Sequence, residues 1–311
     1  MPLAEVVRSG FVEGVHRGSV VVLDAGGAPV AGAGDVTSPV FPRSASKPMQ
    51  AIGMLRAGLP LTEPADVALV SASHAGEGFH LERVAALLRR AGLDESALHC
   101  PPDLPVGETA REAVLRAGGG PTRIQMNCSG KHTGMLLTCL AAGWPLDGYW
   151  RPDHPLQRRL TAAIEEFTGE EAAAVGVDGC GAPVLAVSLT GLARAYLRLV
   201  SAEPGTVERT VADAMRAYPE LVGGTQADDT RLMRGVPGLL AKVGAEGVIA
   251  AAVPGFGAVA LKIDDGAGRP RMPVLVSALR RLGVEAPVLT EYAEIPLLGG
   301  GLPVGAVRAV W

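Results

Sequence analysis

The clearest chemistry in the sequence lies in Arg43-Ser44-Ala45-Ser46-Lys47-Pro48. A serine hydroxyl is a weak nucleophile at neutral pH. A desolvated lysine can take its proton, because burial disfavours the ammonium form. Ser44 and Lys47 are spaced i, i+3, so on a helical turn they share a face. The run opens an apolar stretch, 49–57, that reads as a helix, and a helix N-terminus favours developing negative charge. Pro48 suits the first helical turn but biases Lys47 away from helical geometry. Taken alone, Ser-x-x-Lys more often describes an N-capping serine followed by a surface lysine.

Two further segments add to this pair. Ser71-Ala72-Ser73-His74 follows the strand-like run 67–70, and Lys242-Val243-Gly244 precedes the strand-like run 247–253. A Ser-x-x-Lys, then a serine-containing loop, then Lys-x-Gly is the order found in penicillin-recognising enzymes. A third cluster is Asn127-Cys128-Ser129-Gly130-Lys131-His132, with Asp178-Gly179-Cys180-Gly181 about fifty residues on. Two thiolates, a nitrogen ligand and an open position would suit zinc. No Cys-x-x-Cys is present, so spacing alone also fits two buried thiols.

Other signatures are absent. Gln125 stands where a phosphate loop before Gly130-Lys131 needs its first glycine. Gly255-Phe256-Gly257-Ala258-Val259-Ala260 leads into a strand-like run rather than the helix a dinucleotide loop requires. There is no Gly-x-Ser-x-Gly and no His-Glu-x-x-His. In Val222-Gly223-Gly224-Thr225, valine occupies the place a threonine nucleophile would need.

The elements that must position these residues follow from periodicity. Residues 6–41 read as strands and turns: 19–24 as a buried strand, 29–36 and 37–41 as two more. Apolar residues at three- and four-residue spacing predict helices over 81–90, 108–116, 155–167 and 206–218, with Gly92, Gly118 and Gly169 at C-cap positions. Short apolar runs at 67–72, 124–127 and 174–178 interrupt them as strand candidates. Strands return at 247–253 and 257–264, followed by a helix over 273–282. This pattern predicts an α/β (α+β) fold. One antiparallel sheet is built from both chain ends, about 1–60 and 240–311, around a helical subdomain at about 61–239, all within a single domain.

Composition bounds the function. The 311 residues are 48% hydrophobic and 19% charged, which supports a sizeable core and excludes disorder as the main state. The net charge of −4 gives no basic footprint for nucleic acid. The N-terminus lacks the basic and apolar regions of a signal peptide. The longest weakly charged stretch, 247–261, is broken by Pro254 and too short to span a bilayer. Four cysteines are too few for a disulfide scaffold, so the expectation is a cytoplasmic protein with reduced thiols.

With these residues in view, the chain resembles the Rhizobium etli-type L-asparaginases over nearly its whole length. The resemblance rests on Arg8-Ser9-Gly10, Glu13, His16, Arg43-Ser44-Ala45-Ser46-Lys47-Pro48, Ser73-His74, the Cys-Ser-Gly-Lys-His block at 128–132, the Asp-Gly-Cys-Gly block at 178–181 and Lys242-x-Gly244-Ala245-Glu246-Gly247. It implies hydrolysis of L-asparagine to L-aspartate and ammonia, on a fold like serine β-lactamases and glutaminases, usually as a homodimer. The family's Ser-Lys pairs would fall on Ser44 with Lys47 and on Ser73 with Lys242. Its zinc ligands would fall on Cys128, Lys131 and Cys180, with the metal supporting substrate binding. Arg43, His132 and Asp178 would hold the substrate. One departure stands out: many relatives carry Asn-x-x-Gly near the C-terminus, where this chain has Gly299-Gly300-Gly301-Leu302-Pro303-Val304-Gly305. The competing readings are a β-lactamase-like acyl hydrolase or transferase acting on another small amide or peptide, and a zinc-binding protein without activity.

Overall fold

The structure is a computed structural model that describes residues 1–311. From the N-terminus run β1 (Pro2–Arg8), β2 (Phe11–Asp24), β3 (Pro29–Ala33) and β4 (Pro39–Val40). A 3-10 turn, Arg43–Ser46, leads into α1 (Lys47–Arg56), then α2 (Pro64–Val70), α3 (Gly78–Arg90) and α4 (Glu108–Arg116). After these come α5 (Ser129–Ala142), α6 (Pro155–Thr168), β5 (Ala174–Val177) and β6 (Pro183–Ser188). They lead to α7 (Leu189–Val200), α8 (Val207–Ala217), α9 (Pro219–Val222) and α10 (Asp228–Gly235). The chain closes with β7 (Leu240–Val243), β8 (Val248–Val253), β9 (Gly257–Ile263), α11 (Arg271–Arg281), α12 (Pro287–Tyr292), β10 (Glu294–Gly299) and β11 (Leu302–Ala309).

The main sheet has the order β10-β11-β1-β2-β9-β8-β7, with β3 also paired to β2. All its pairings are antiparallel, and all its strands come from the two chain ends, as expected. β8 reads Val-Ile-Ala-Ala-Ala-Val with every residue buried. It shows no polar alternation because α7 and α11 both pack against it. The helices expected over 81–90, 108–116, 155–167, 206–218 and 273–282 form within a few residues of those bounds. Gly169 caps α6 in the left-handed region, at φ 73°.

Three expectations are corrected. The run 67–72 is not a strand: 67–70 are the buried end of α2, which Pro64 and Asp66 open, and Ser71 and Ala72 follow it as a buried loop. Short apolar runs cannot separate a buried strand from a buried helix. Residues 124–127 form a turn before α5, while 174–178 does yield β5. The intervening chain is not purely helical either, since β4, β6 and β5 form a second, three-stranded sheet. The C-terminal hairpin β10–β11 carried too little alternation to be read. It turns through Gly300 and Gly301, both at positive φ.

No helix of the chain is long and apolar enough to cross a membrane.

Candidate active site

The end of β7, the Ser-Lys turn, the loop after α2, the loop before α10 and the start of α11 enclose a cleft of about 1020 Å³. Ser44, Ser73, Asn127, Asp229, Lys242 and Arg271 are among its lining residues.

The Ser-Lys turn is helical despite Pro48. Lys47 sits at φ −61°, ψ −34°, directly after the 3-10 turn, so the i, i+3 relation to Ser44 is realised. Arg43, just before it, takes φ 53° without being glycine, a strained conformation of the kind that clusters at functional sites. Gly244 lets the end of β7 approach: a Cβ there would lie 2.5 Å from the carbonyl oxygen of Pro42. This close approach brings the Lys-x-Gly segment against the Ser-Lys turn.

Lys47 is almost fully buried, and its Nζ donates to the Ala72 carbonyl, to Ser73 Oγ at 2.7 Å and to Cys128 Sγ at 3.0 Å. Burial pushes its pKa down, and the charges of Lys131 and Lys242 push the same way against the pull of Cys128. The expected pairing is therefore rearranged. Lys47 reaches Ser73 rather than Ser44, because α2 and the loop after it carry Ala72 and Ser73 over the lysine. Lys242 pairs not with Ser73 but with the buried carboxylate of Asp229, at 3.1 Å. Two adjacent acidic residues opening α10 gave no sequence sign of that partnership.

A second cluster meets the first through Lys47. Cys128 stands at the N-cap of α5, with Lys131 and His132 in its first turn at i+3 and i+4. Asp178 and Cys180 sit on the β5–β6 turn, which Gly181 closes with φ 84° and an N–H bond to the Asp178 carbonyl at 2.8 Å. Lys131 Nζ donates to Cys180 Sγ at 3.2 Å. The neighbouring cysteines titrate apart: Cys180 and burial push the Cys128 thiol up, while Cys128 and then Lys131 and His132 pull Cys180 down against burial. Burial works against the Lys131 charge, but the Cys180 thiolate, with Cys128 and Asp178 beside it, outweighs burial and raises its pKa. His132 Nδ1 lies 2.7 Å from the Tyr149 hydroxyl, and its buried Nε2 has no hydrogen-bond partner. Burial lowers the His132 pKa. Arg43 Nε donates to Asp178 at 2.7 Å, tying this turn to the Ser-Lys turn.

His16 lies elsewhere, held between Asp265 at 2.7 Å and Arg269 at 3.0 Å. Arg8 and Glu13 pair with each other near the β1–β2 turn. Neither group lines the cleft, and neither do residues 299–305.

With the geometry in place, comparison with known proteins identifies the lineage. Residues 4–309 match the L-asparaginase II family. The chain belongs to that family. No curated protein sequence matches the chain significantly. Among solved structures, a β-lactamase from Mycobacterium bovis is similar at 16% identity and a TM-score of 0.46, over 85% of this chain and 94% of its own. Simvastatin synthase from Aspergillus terreus is similar at 13% identity and a TM-score of 0.42, over 89% of this chain and 93% of its own. At such scores the likeness adds nothing to the architecture seen directly. Family membership makes the protein an enzyme of the asparaginase type.

Proposed function

We propose that this L-asparaginase II family member hydrolyses L-asparagine to L-aspartate and ammonia by acyl transfer to a serine, with Lys47 as the base. One observation carries Lys47 as the base: its buried amine lies 2.7 Å from the Ser73 hydroxyl at the wall of the cleft that Ser44 also lines. A lysine neutralised by burial can accept the proton as the serine attacks the side-chain amide, and can return it to the departing ammonia. Water then attacks the ester with the same amine as base. Ser44 is our attacking group, because it lines the cleft and follows the helical i, i+3 relation to Lys47; Ser73, bonded to Lys47, would relay the proton, and Lys242 would stand as a fixed charge at the cleft wall. The Ser73–Lys47 contact favours a second reading, in which Ser73 itself attacks.

Ammonia release on adding L-asparagine, with L-glutamine and D-asparagine as controls, tests the activity. Mass spectrometry of the acyl-enzyme trapped with a slow ester analogue assigns the serine. An adduct on Ser44 supports the first reading and one on Ser73 the second; absence of any serine adduct during turnover defeats both. Failure to release ammonia from asparagine while another small amide or a penicillin acylates the same serine moves the substrate, not the chemistry.

The residues expected to hold zinc fit that role. Lys131 lies 3.2 Å from Cys180 Sγ and one turn from Cys128 on α5, so the donor set this reading needs is two sulfurs and the lysine amine. The Lys131 amine contacts the Cys180 sulfur, so a metal cation bound by both would displace the lysine proton. Bound zinc would supply a Lewis-acidic anchor for the substrate, beside Arg43, His132 and Asp178. Chelation is then expected to raise KM for asparagine more than it lowers kcat. An unchanged KM in demonstrably zinc-free enzyme would refute that role.

A homodimer is the assembly we propose. Phe11 and Leu302 are 72% and 70% exposed and lie at the same end of the sheet, where the β1–β2 and β10–β11 turns meet. Light scattering of Phe11→Ser/Leu302→Ser is expected to report a monomer where the parent chain reports a dimer.

A further inference from the structure

We propose that Asp229 is a positioning residue for catalysis: its buried carboxylate fixes the Lys242 ammonium at the wall of the cleft, and the two side chains act as one unit. The proposal rests on the reading above that Lys242 belongs to the catalytic apparatus.

The pair joins two elements. Asp229 opens α10 and Lys242 lies on β7; their side chains are 2% and 1% exposed, and both residues line the cleft. Asp229 Oδ2 accepts from Lys242 Nζ at 3.1 Å and from the Val243 N–H at 3.4 Å. The other group that Nζ touches is the Val243 carbonyl, at 3.1 Å. A lysine head on a flexible four-carbon stem has no preferred direction of its own, so the carboxylate sets where it points.

The surroundings are shaped for this carboxylate. A Cβ at Gly223 would lie 2.3 Å from Asp229 Oδ1, so any side chain there would displace it. The preceding Val222 carbonyl accepts the Ser73 N–H at 3.0 Å, so the segment that makes room for Asp229 also holds the backbone of Ser73. The adjacent Asp228 is engaged by Arg271 at 3.2 Å and does not compete for Lys242. Tyr196 donates its hydroxyl to the Ala45 carbonyl inside the Ser-Lys turn at 2.8 Å; burial raises its pKa, and the Asp229 charge adds to the rise. Asp229 therefore stands among the groups that fix Ser44, Ser73 and Lys242. A buried ion pair adds little stability over a well-packed apolar pair, so stability alone does not account for keeping one in the cleft wall.

The test compares Asp229→Asn, Asp229→Glu, Lys242→Met and Asp229→Asn/Lys242→Met by kcat and KM for L-asparagine, with Tm of each. Asp229→Asn is expected to lower kcat on the order of 100-fold, the scale of an ångström-sized misplacement, with little change in KM. Asp229→Glu, which keeps the charge, is expected to recover part of that loss. The double variant is expected to be no slower than Lys242→Met, because partners in one unit are not additive. Wild-type kcat in folded Asp229→Asn beside an impaired Lys242→Met would overturn the positioning role, as would losses that multiply in the double variant. Should Asp229→Asn fail to fold, Asp229→Glu decides alone: a lowered kcat at near-parental Tm supports the role, and an unchanged kcat overturns it. Full activity in Lys242→Met would remove Lys242 from the mechanism, and the positioning role with it, while leaving Lys47 and the serines standing.

Discussion

Lys47 and Lys242 are both about 1% exposed, Lys242 in the wall of the cleft and Lys47 behind Ser73, yet they meet opposite partners. Lys47 touches a carbonyl, a hydroxyl and a thiol, none of them a carboxylate. Lys242 touches the carboxylate of Asp229. Burial therefore drives Lys47 toward the neutral amine, whereas Lys242 is held in an ion pair. The same residue type at the same depth is divided between two roles, a proton acceptor and a fixed charge, by the single group at its tip. Lys131 makes a third case, in which a thiolate partner outweighs burial and raises the pKa.

The comparison breaks most visibly at Lys47. Lys47→Met removes the base and is expected to lower kcat about 10²–10⁴-fold, the usual contribution of a general base. No charge is left stranded, because the neighbouring Cys180 and then burial push the Cys128 thiol up and keep it neutral, so Tm should hold or rise. In the parent enzyme kcat/KM is expected to climb with pH through the lowered Lys47 pKa, and ammonia assays across pH would show the rise. Near-parental turnover in Lys47→Met would assign the proton to another group.

At Lys242 the larger signature is stability. Lys242→Met leaves the Asp229 carboxylate buried and unpaired, which costs about 3–5 kcal/mol, and adding Asp229→Leu should recover most of it. Denaturant midpoints of the single and double variants measure both steps. If Lys242→Met were as stable as Lys47→Met, the contrast between the two lysines would be lost.

Much of this site could be read from residue order, and the unread part has a physical cause. Ser-x-x-Lys forms a helical turn and the Cys-Ser-Gly-Lys-His block opens α5, because each rests on local geometry that short-range pattern encodes. Lys242, expected just before the strand 247–253, instead lies on a short strand of its own, β7, too brief to show a period. The partnerships Lys47–Ser73 and Lys242–Asp229 span 26 and 13 residues and depend on how α2 and α10 pack against their neighbours. Nothing in local spacing specifies them. The run 67–72 shows the same limit within the fold: apolar residues buried on every side leave no period by which to distinguish helix from strand.

The smallest effect lies beside Lys47, at His74. This imidazole is fully buried, with Nε2 2.8 Å from Ser129 Oγ. Burial holds its pKa well below the usual 6.5, with His80 and Lys47 adding to the shift. The native state thus refuses a proton that the unfolded chain accepts, so stability is complete above pH 6.5 and falls as pH drops below it, by about 1.4 kcal/mol per pH unit for one such group until the native pKa is reached. His74→Gln cannot titrate, and its stability should therefore fall less steeply on acidification, by one proton's worth of slope in denaturant titrations between about pH 6 and 4.5. Because burial leads among the causes and Lys47 trails, Lys47→Met should leave the acid slope of the parent nearly intact. A slope that relaxed as much in Lys47→Met as in His74→Gln would mean that Lys47 carries its full charge there, against the division of roles between the two lysines.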